Sequence, residues 1–169
     1  MFARIVVVVG LLGLIAFSDN CRAQSDDVRS KQGLPSSFLY SVLNGQKGDK
    51  TTFRDSSGRT QGSATQTGNR ISIRDSSGRS IGSAERSGIN TIFRDASGRV
   101  IQTATTNGDR TTFRSSSGSN LGTASQSRNN TTFRDSSGRA MGSASSSGPR
   151  TNFRDSSGRS AGSASSNRR

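Results

Sequence analysis

Residues 51–59 read TTFRDSSGR, and the same frame returns as TIFRDASGR at 91–99, TTFRDSSGR at 131–139 and TNFRDSSGR at 151–159. From Thr51 the chain divides into six blocks of twenty residues, the last ending at Asn167 before an Arg168-Arg169 tail. Arg54, Arg74, Arg94, Arg114, Arg134 and Arg154 fill one slot without exception, and Gly58 and Ala64 have counterparts in all six blocks. A fixed period of this length marks a repeat architecture in which each block is one supersecondary unit.

The turns inside the block specify what that unit is. Ser56-Ser57-Gly58 has the pattern of a three-residue hairpin loop, a type I turn followed by a left-handed Gly. Gln66-Thr67-Gly68 has the same grammar, so two loops of three and two strands of seven fill the period of twenty. This register sets Asp55 opposite Arg59 and Phe53 opposite residue 61. It predicts one apolar row across the sheet: Phe53, Gln61, Ile73, Ile81, Phe93, Ile101, Phe113, Leu121, Phe133, Met141, Phe153 and Ala161. A hydroxyl-rich row beside it pairs the Thr51 slot with the Ser63 slot. A row of opposite charges closes the loops as turn pairs: Asp55 with Arg59, Asp75 with Arg79, Asp95 with Arg99, Asp135 with Arg139 and Asp155 with Arg159. In the fourth block both members change together, to Ser115 and Ser119. The Arg54, Gly62 and Ala64 slots fall on the opposite face, which is expected to be polar and solvated.

The fold class expected is therefore all-β: a repetitive antiparallel meander of about twelve short strands, curled or shell-like. Curling is required because the apolar row needs a cover, from a barrel or spiral shell, from the N-terminal zone or from self-association. The alternative is a two-sheet β-solenoid with one block per coil. That arrangement would stack the Arg54 slot in a column of like charges about 4.8 Å apart. Disorder is the other competitor for a Ser/Gly/Arg-rich chain, and the regularly spaced Phe, Ile and Thr oppose it.

Residues 1–23 form a different region. A basic start at Arg4 precedes an apolar run from Ile5 to Phe17. As a helix this run spans roughly 20 Å, short of the ~30 Å hydrocarbon core of a bilayer. It predicts a secretory signal peptide, with cleavage after Ser18 or Ala23 both open, and no retained transmembrane helix. Cleavage after Ala23 removes Cys21, the only cysteine, so disulfides would not hold the mature chain. Residues 24–50 carry the single Tyr40 in a small apolar cluster and are expected to be a linker or an N-terminal cap. Residues 51–169 hold the six repeats and the tail.

The chain has 169 residues and a formal net charge of +13, with 27% hydrophobic residues and no Trp or His. Such a charge favours anionic partners: acidic polysaccharide, lipopolysaccharide or nucleic acid. The absence of His and the single Cys leave no basis for side-chain zinc sites or His-based catalysis. Asp55 and its counterparts supply one carboxylate per block beside an Arg, a poor cation site. The repeated Ser residues have no base beside them, and FRDSSGR lacks the Lys of a phosphate loop. No enzyme and no cofactor is expected.

The Asp-x-x-Gly-Arg core on a hairpin period of about twenty residues resembles the YD repeats of Rhs and teneurin-type proteins. In those repeats a Tyr directly precedes the Asp; here Arg54 stands in that slot and the aromatic lies one residue earlier. The resemblance spans Thr51 to about Asn167 and implies a spiral β shell, exported or displayed at a cell surface.

Two functional expectations follow. The first is an exported, non-enzymatic repeat protein with a structural or surface-interaction role, secreted, periplasmic or in the cell envelope, whose partners are copies of itself or envelope components. The alternative is a polyanion binder that uses Arg54, Arg74, Arg94, Arg114, Arg134 and Arg154 as a cationic stripe, with anionic glycans as candidate ligands. Nucleic acid is disfavoured as a specific ligand, because the aromatics that could stack on bases are assigned to the core.

Overall fold

The structure, a computed structural model, describes residues 50–167. The expected signal peptide and all of the linker or cap except Lys50 lie outside the described residues, as does the Arg168-Arg169 tail. Among the described residues twelve antiparallel strands follow one another without helices: β1 (Lys50–Arg54), β2 (Thr60–Thr67), β3 (Arg70–Asp75), β4 (Ser80–Ser87), β5 (Asn90–Asp95), β6 (Val100–Asn107), β7 (Arg110–Ser115), β8 (Asn120–Ser127), β9 (Asn130–Asp135), β10 (Ala140–Ser147), β11 (Arg150–Asp155) and β12 (Ser160–Asn167). Each strand pairs with its neighbours in sequence, and β1 pairs with β12, so the sheet closes into a barrel. The meander is the architecture formed, not the solenoid. Closure also answers the cover problem, because the sheet covers itself and leaves no edge.

The closing seam repeats the internal register. Across β2 and β3, Ala64 faces Ile73 and Gln66 faces Ile71. Across β12 and β1, Ala164 faces Phe53 and Ser166 faces Thr51. The last block thus meets the first in the register by which any block meets the next, short of the Gly62–Asp75 type of pair that ends the other joints. Going round the barrel, Phe53 faces Gly62 and Gly62 faces Asp75, which lies two residues past the counterpart of Phe53. The register climbs two residues per block in this way, which is the stagger that tilts strands in a closed barrel, typically by about 35–45°.

The register departs from the one expected on sequence. Phe53 faces Gly62, not Gln61, and Arg54 faces Thr60, with a register shift between them. Residue 61 is the extra residue of a one-residue bulge, and the same shift recurs in every odd–even hairpin. The far turn is also shorter than three residues. Thr67 pairs with Arg70 across Gly68-Asn69, and Gly68 has φ +61°, the first central position of a type II′ turn. Strands of six and eight residues, not seven and seven, fill the block.

A shift of one residue moves every side chain of a strand to the other face. The Gly62 and Ala64 slots, expected in solvent, therefore lie inside with the aromatics: Ala64, Ala84, Ala104, Ala124, Ala144 and Ala164 are all buried. The Ser63 slot faces the Thr52 slot, not Thr51. The physical reason is room. Phe93, Phe113 and Phe133 are at most 2% exposed, and the large inward side chains are flanked by small residues on both neighbouring strands, except that Phe93 lies between Ala84 and Gln102. Phe113 sits between Ala104 and Gly122, and Phe53 between Ala164 and Gly62. At Gly82 and Gly122 a Cβ would run into the main-chain carbonyl oxygen of Arg94 and Arg134 respectively.

Of the expected apolar row, Phe53, Ile73, Phe93, Phe113, Phe133 and Phe153 are buried, together with Ala161. Ile81, Ile101 and Leu121, at the bulge, are half-buried against the core, and Met141 is exposed. The Thr51 slot is inside as expected: Thr51, Ile71, Thr91, Thr111 and Thr131 are buried.

Candidate functional site

All six DSSGR-type turns join an odd strand to the following even strand, so antiparallel alternation places them at one end of the barrel. Each turn is tied in the same way. The Asp55 backbone N–H donates to the Arg59 carbonyl at 3.0 Å, and the Gly58 N–H donates to the Asp55 carbonyl at 3.0 Å. Gly58 has φ +80°, a conformation that glycine adopts without the penalty a Cβ would bring. The Asp55 carboxylate accepts hydrogen bonds from the backbone N–H groups of Ser57 and Arg59, both at 2.9 Å. Asp75, Asp95 and Asp135 repeat both bonds.

The turn pairs form between the expected residues, each through the backbone N–H of its Arg. Arg79 meets Asp75 through its backbone N–H at 3.0 Å, Arg99 meets Asp95 in the same way at 3.0 Å, and Arg139 meets Asp135 at 2.9 Å. Arg59 and Arg159 do likewise with Asp55 and Asp155. The side chains of Arg59, Arg79, Arg99, Arg139 and Arg159 are all exposed. The tight turn lays the main chain of its last residue across the carboxylate and sends the side chain outward into water, where an ion pair gains little. Any residue with a backbone N–H can fill that role. The fourth turn does so with serine at both ends: Ser115 Oγ accepts from the Ser119 N–H at 3.1 Å.

Asp155 is the buried member of the set, 4% exposed. Burial alone would raise its pKa. The Ser157 hydroxyl, the backbone N–H groups of Arg159 and Ser157 and the Arg159 charge together outweigh it, so the carboxyl sits below its usual range.

The Arg54 slot completes the turn. Arg54 donates from Nη1 to the Gly58 carbonyl at 2.9 Å, and Arg74, Arg94, Arg114, Arg134 and Arg154 repeat the bond to Gly78, Gly98, Gly118, Gly138 and Gly158 at 2.7–3.0 Å. Opposite strand parity from Phe53 puts the Arg54 side chain on the outer wall. What the sequence presents as a stripe is, once the sheet closes, a ring of six guanidinium groups at one rim. Five are exposed and Arg94 is half-buried. A guanidinium carries five N–H donors, so one bond to a carbonyl leaves most of the fork for an oxyanion.

The outer wall is polar. The outward positions of β3 are Arg70, Ser72 and Arg74, all exposed, while Ile71 and Ile73 point in. A barrel that faces lipid needs the reverse, an outward apolar band about 25 Å tall. Among the described residues no helix is long and apolar enough to cross a membrane, and no group of three or more His, Cys, Asp or Glu is placed to hold a metal ion.

One interior residue was not singled out as a site by sequence reasoning. Gln102 occupies the Gly62 slot, is fully buried, and neither its amide nitrogen nor its amide oxygen has a hydrogen-bond partner. It faces Ser115 across β6 and β7, whereas Gly62, Gly82, Gly122 and Gly142 face an Asp. The signal was present in the sequence as the single interruption of the Gly slot in the block before Ser115.

No family model matches the chain, and no curated protein matches it.

Proposed function

We infer that this is an exported, non-enzymatic barrel whose role is surface interaction, and that it binds polyanions through the guanidinium ring of the Arg54 slot. The observation that carries the reading is the six-fold repetition of one geometry, an outward Arg fixed on the carbonyl of its own turn. A net charge of +13 draws anionic partners to it. The basic start and short apolar run of residues 1–23 support export, and the resemblance to YD repeats supports display at a surface. Among the described residues the apolar face is enclosed and every strand is paired on both sides, so self-association or contact with envelope components through the barrel would run over its polar outer wall or its rims.

The test is retention of the chain without residues 1–23 on immobilised heparin across a salt series. Retention that falls steeply with salt is expected, as for any contact made by displacing counterions. Failure to bind at low salt refutes the reading.

A further inference from the structure

The two ends of the barrel hold positive charge differently. At the turn rim eleven arginines, six of the Arg54 slot and five of the Arg59 slot, stand with five aspartates. Each of those aspartates is already hydrogen-bonded within its own turn. At the other end Lys50, Arg70, Arg110 and Arg150 share one slot, which Asn90 and Asn130 fill in the remaining two blocks, and Arg86, Arg128, Glu85 and Asp109 stand singly in other slots. A guanidinium already fixed in place loses less freedom on binding; Arg150 at the far end is also held, by Nε to Asn152 Oδ1 at 3.0 Å, but the rim repeats one fixed geometry in all six blocks. The rim is therefore the prepared end.

The kind of anion follows from spacing and from what lies beside each Arg. Equivalent arginines stand two strands apart, roughly 10 Å along the rim at the usual interstrand distance. A nucleic-acid duplex carries a phosphate about every 3.4 Å on each strand, far denser than the ring. Single strands bind by stacking bases on exposed aromatic rings, and here Phe53, Phe93, Phe113, Phe133 and Phe153 are all buried. What flanks the Arg54 slot instead is hydroxyl: Ser56 and Ser57, with their exposed serine counterparts in the other turns, Ala96 alone lacking the hydroxyl. A hydroxyl both donates and accepts, as a sugar hydroxyl does.

We propose that the turn rim docks an acidic polysaccharide end-on, each Arg54-slot fork taking a carboxylate and the turn serines taking the hydroxyls of the uncharged sugars between. This rests on the polyanion reading above and adds the docking face and the ligand class. β1 begins at Lys50 and β12 ends at Asn167, both at the end away from that rim, so the chain enters and leaves the barrel opposite the docking face.

The experiment is calorimetric titration of the barrel-bearing chain with hyaluronate, which has one carboxylate per disaccharide. It compares two charge-matched sets, R54Q/R94Q/R134Q at the rim and R70Q/R110Q/R150Q at the far end. The rim set should lose about tenfold or more in affinity and the far set less than about twofold. R54K/R94K/R134K keeps the charge and removes the fork, and should still lose about threefold; it stands in for the Gln set if circular dichroism shows that set unfolded. Equal losses from the two ends, or a Lys set that binds like wild type, overturn the docking face while polyanion binding stands. Duplex DNA that competes on equal terms per charge overturns the glycan assignment. No binding to hyaluronate, heparin or DNA removes this inference and the reading beneath it together.

Discussion

The seam between β1 and β12 is the contact on which the barrel depends, and a disulfide can interrogate it. Thr52 and Ser165 are directly opposite across that seam, both half-buried on the outer wall. Opposed residues of an antiparallel pair have Cα atoms about 4.5–5.5 Å apart, within the range of about 4.4–6.8 Å that a disulfide spans. The variant Thr52→Cys/Ser165→Cys, with Cys21→Ser to remove the only other thiol, should therefore oxidise within one chain. The bridge would close nearly the whole barrel into one loop, for which the chain-entropy relation gives about 5 kcal/mol of stabilisation. Strain at the seam would lower that figure, so a gain of about 2 kcal/mol or more is the threshold that matters. Non-reducing electrophoresis should show a compact monomer, and urea unfolding of oxidised against reduced protein gives the energy. A control pair, Thr52→Cys/Ser125→Cys, joins strands that are not neighbours and should stay reduced. Cross-linking only between chains, or equal oxidation of the control, would refute closure of the sheet by its own ends.

Phe113→Ala should cost about 3–5 kcal/mol in urea unfolding, since the ring is fully buried between Ala104 and Gly122. Met141→Ala, at the exposed position of the expected apolar row, should cost well under half of that. Gln102→Met keeps the volume and removes a buried donor and acceptor that lack partners, so it should stabilise by about 1–3 kcal/mol; a loss would show that the amide is bonded. The folded state holds the Asp155 carboxyl below its usual range, so its contribution is complete above the unfolded value of about 3.9 and fades as pH falls through the lowered folded value. Asp155→Asn should accordingly flatten the acid limb of the stability profile, measured by thermal melts from pH 6 downward.

The period, the hairpin at Ser56-Ser57-Gly58 and the number of strands were legible because glycine, serine and aspartate carry turn geometry in their own chemistry. The inward position of Phe53 and Thr51 was legible for the same local reason. The register was not. A bulge at residue 61 adds one residue without changing composition, and alternation counted in twos cannot see it. That is why Gly62 and Ala64 read as a solvated face, although their small size is what five crowded interior rings and Ile73 require. Which residues close each turn was legible, but not through which atoms: opposite charges at Asp75 and Arg79 suggest an ion pair, whereas the backbone N–H makes the bond. Closure was legible only as a need for cover, because pairing β1 with β12 depends on the stagger accumulated over six blocks. The Arg54 slot was visible as a candidate site, but its bond to Gly58 and its ring arrangement exist only once the turns are folded and gathered at one end.

The joint between the first and last blocks shares the register of every other joint, one pair short, and this makes the circle extensible. A duplicated block could be spliced in at any two-residue turn and find ready-made neighbours on both flanks. Girth would then grow in steps of one hairpin, each step adding a further Arg54-slot guanidinium to the rim. Unequal recombination within such a gene would tune the number of rim arginines without inventing a residue.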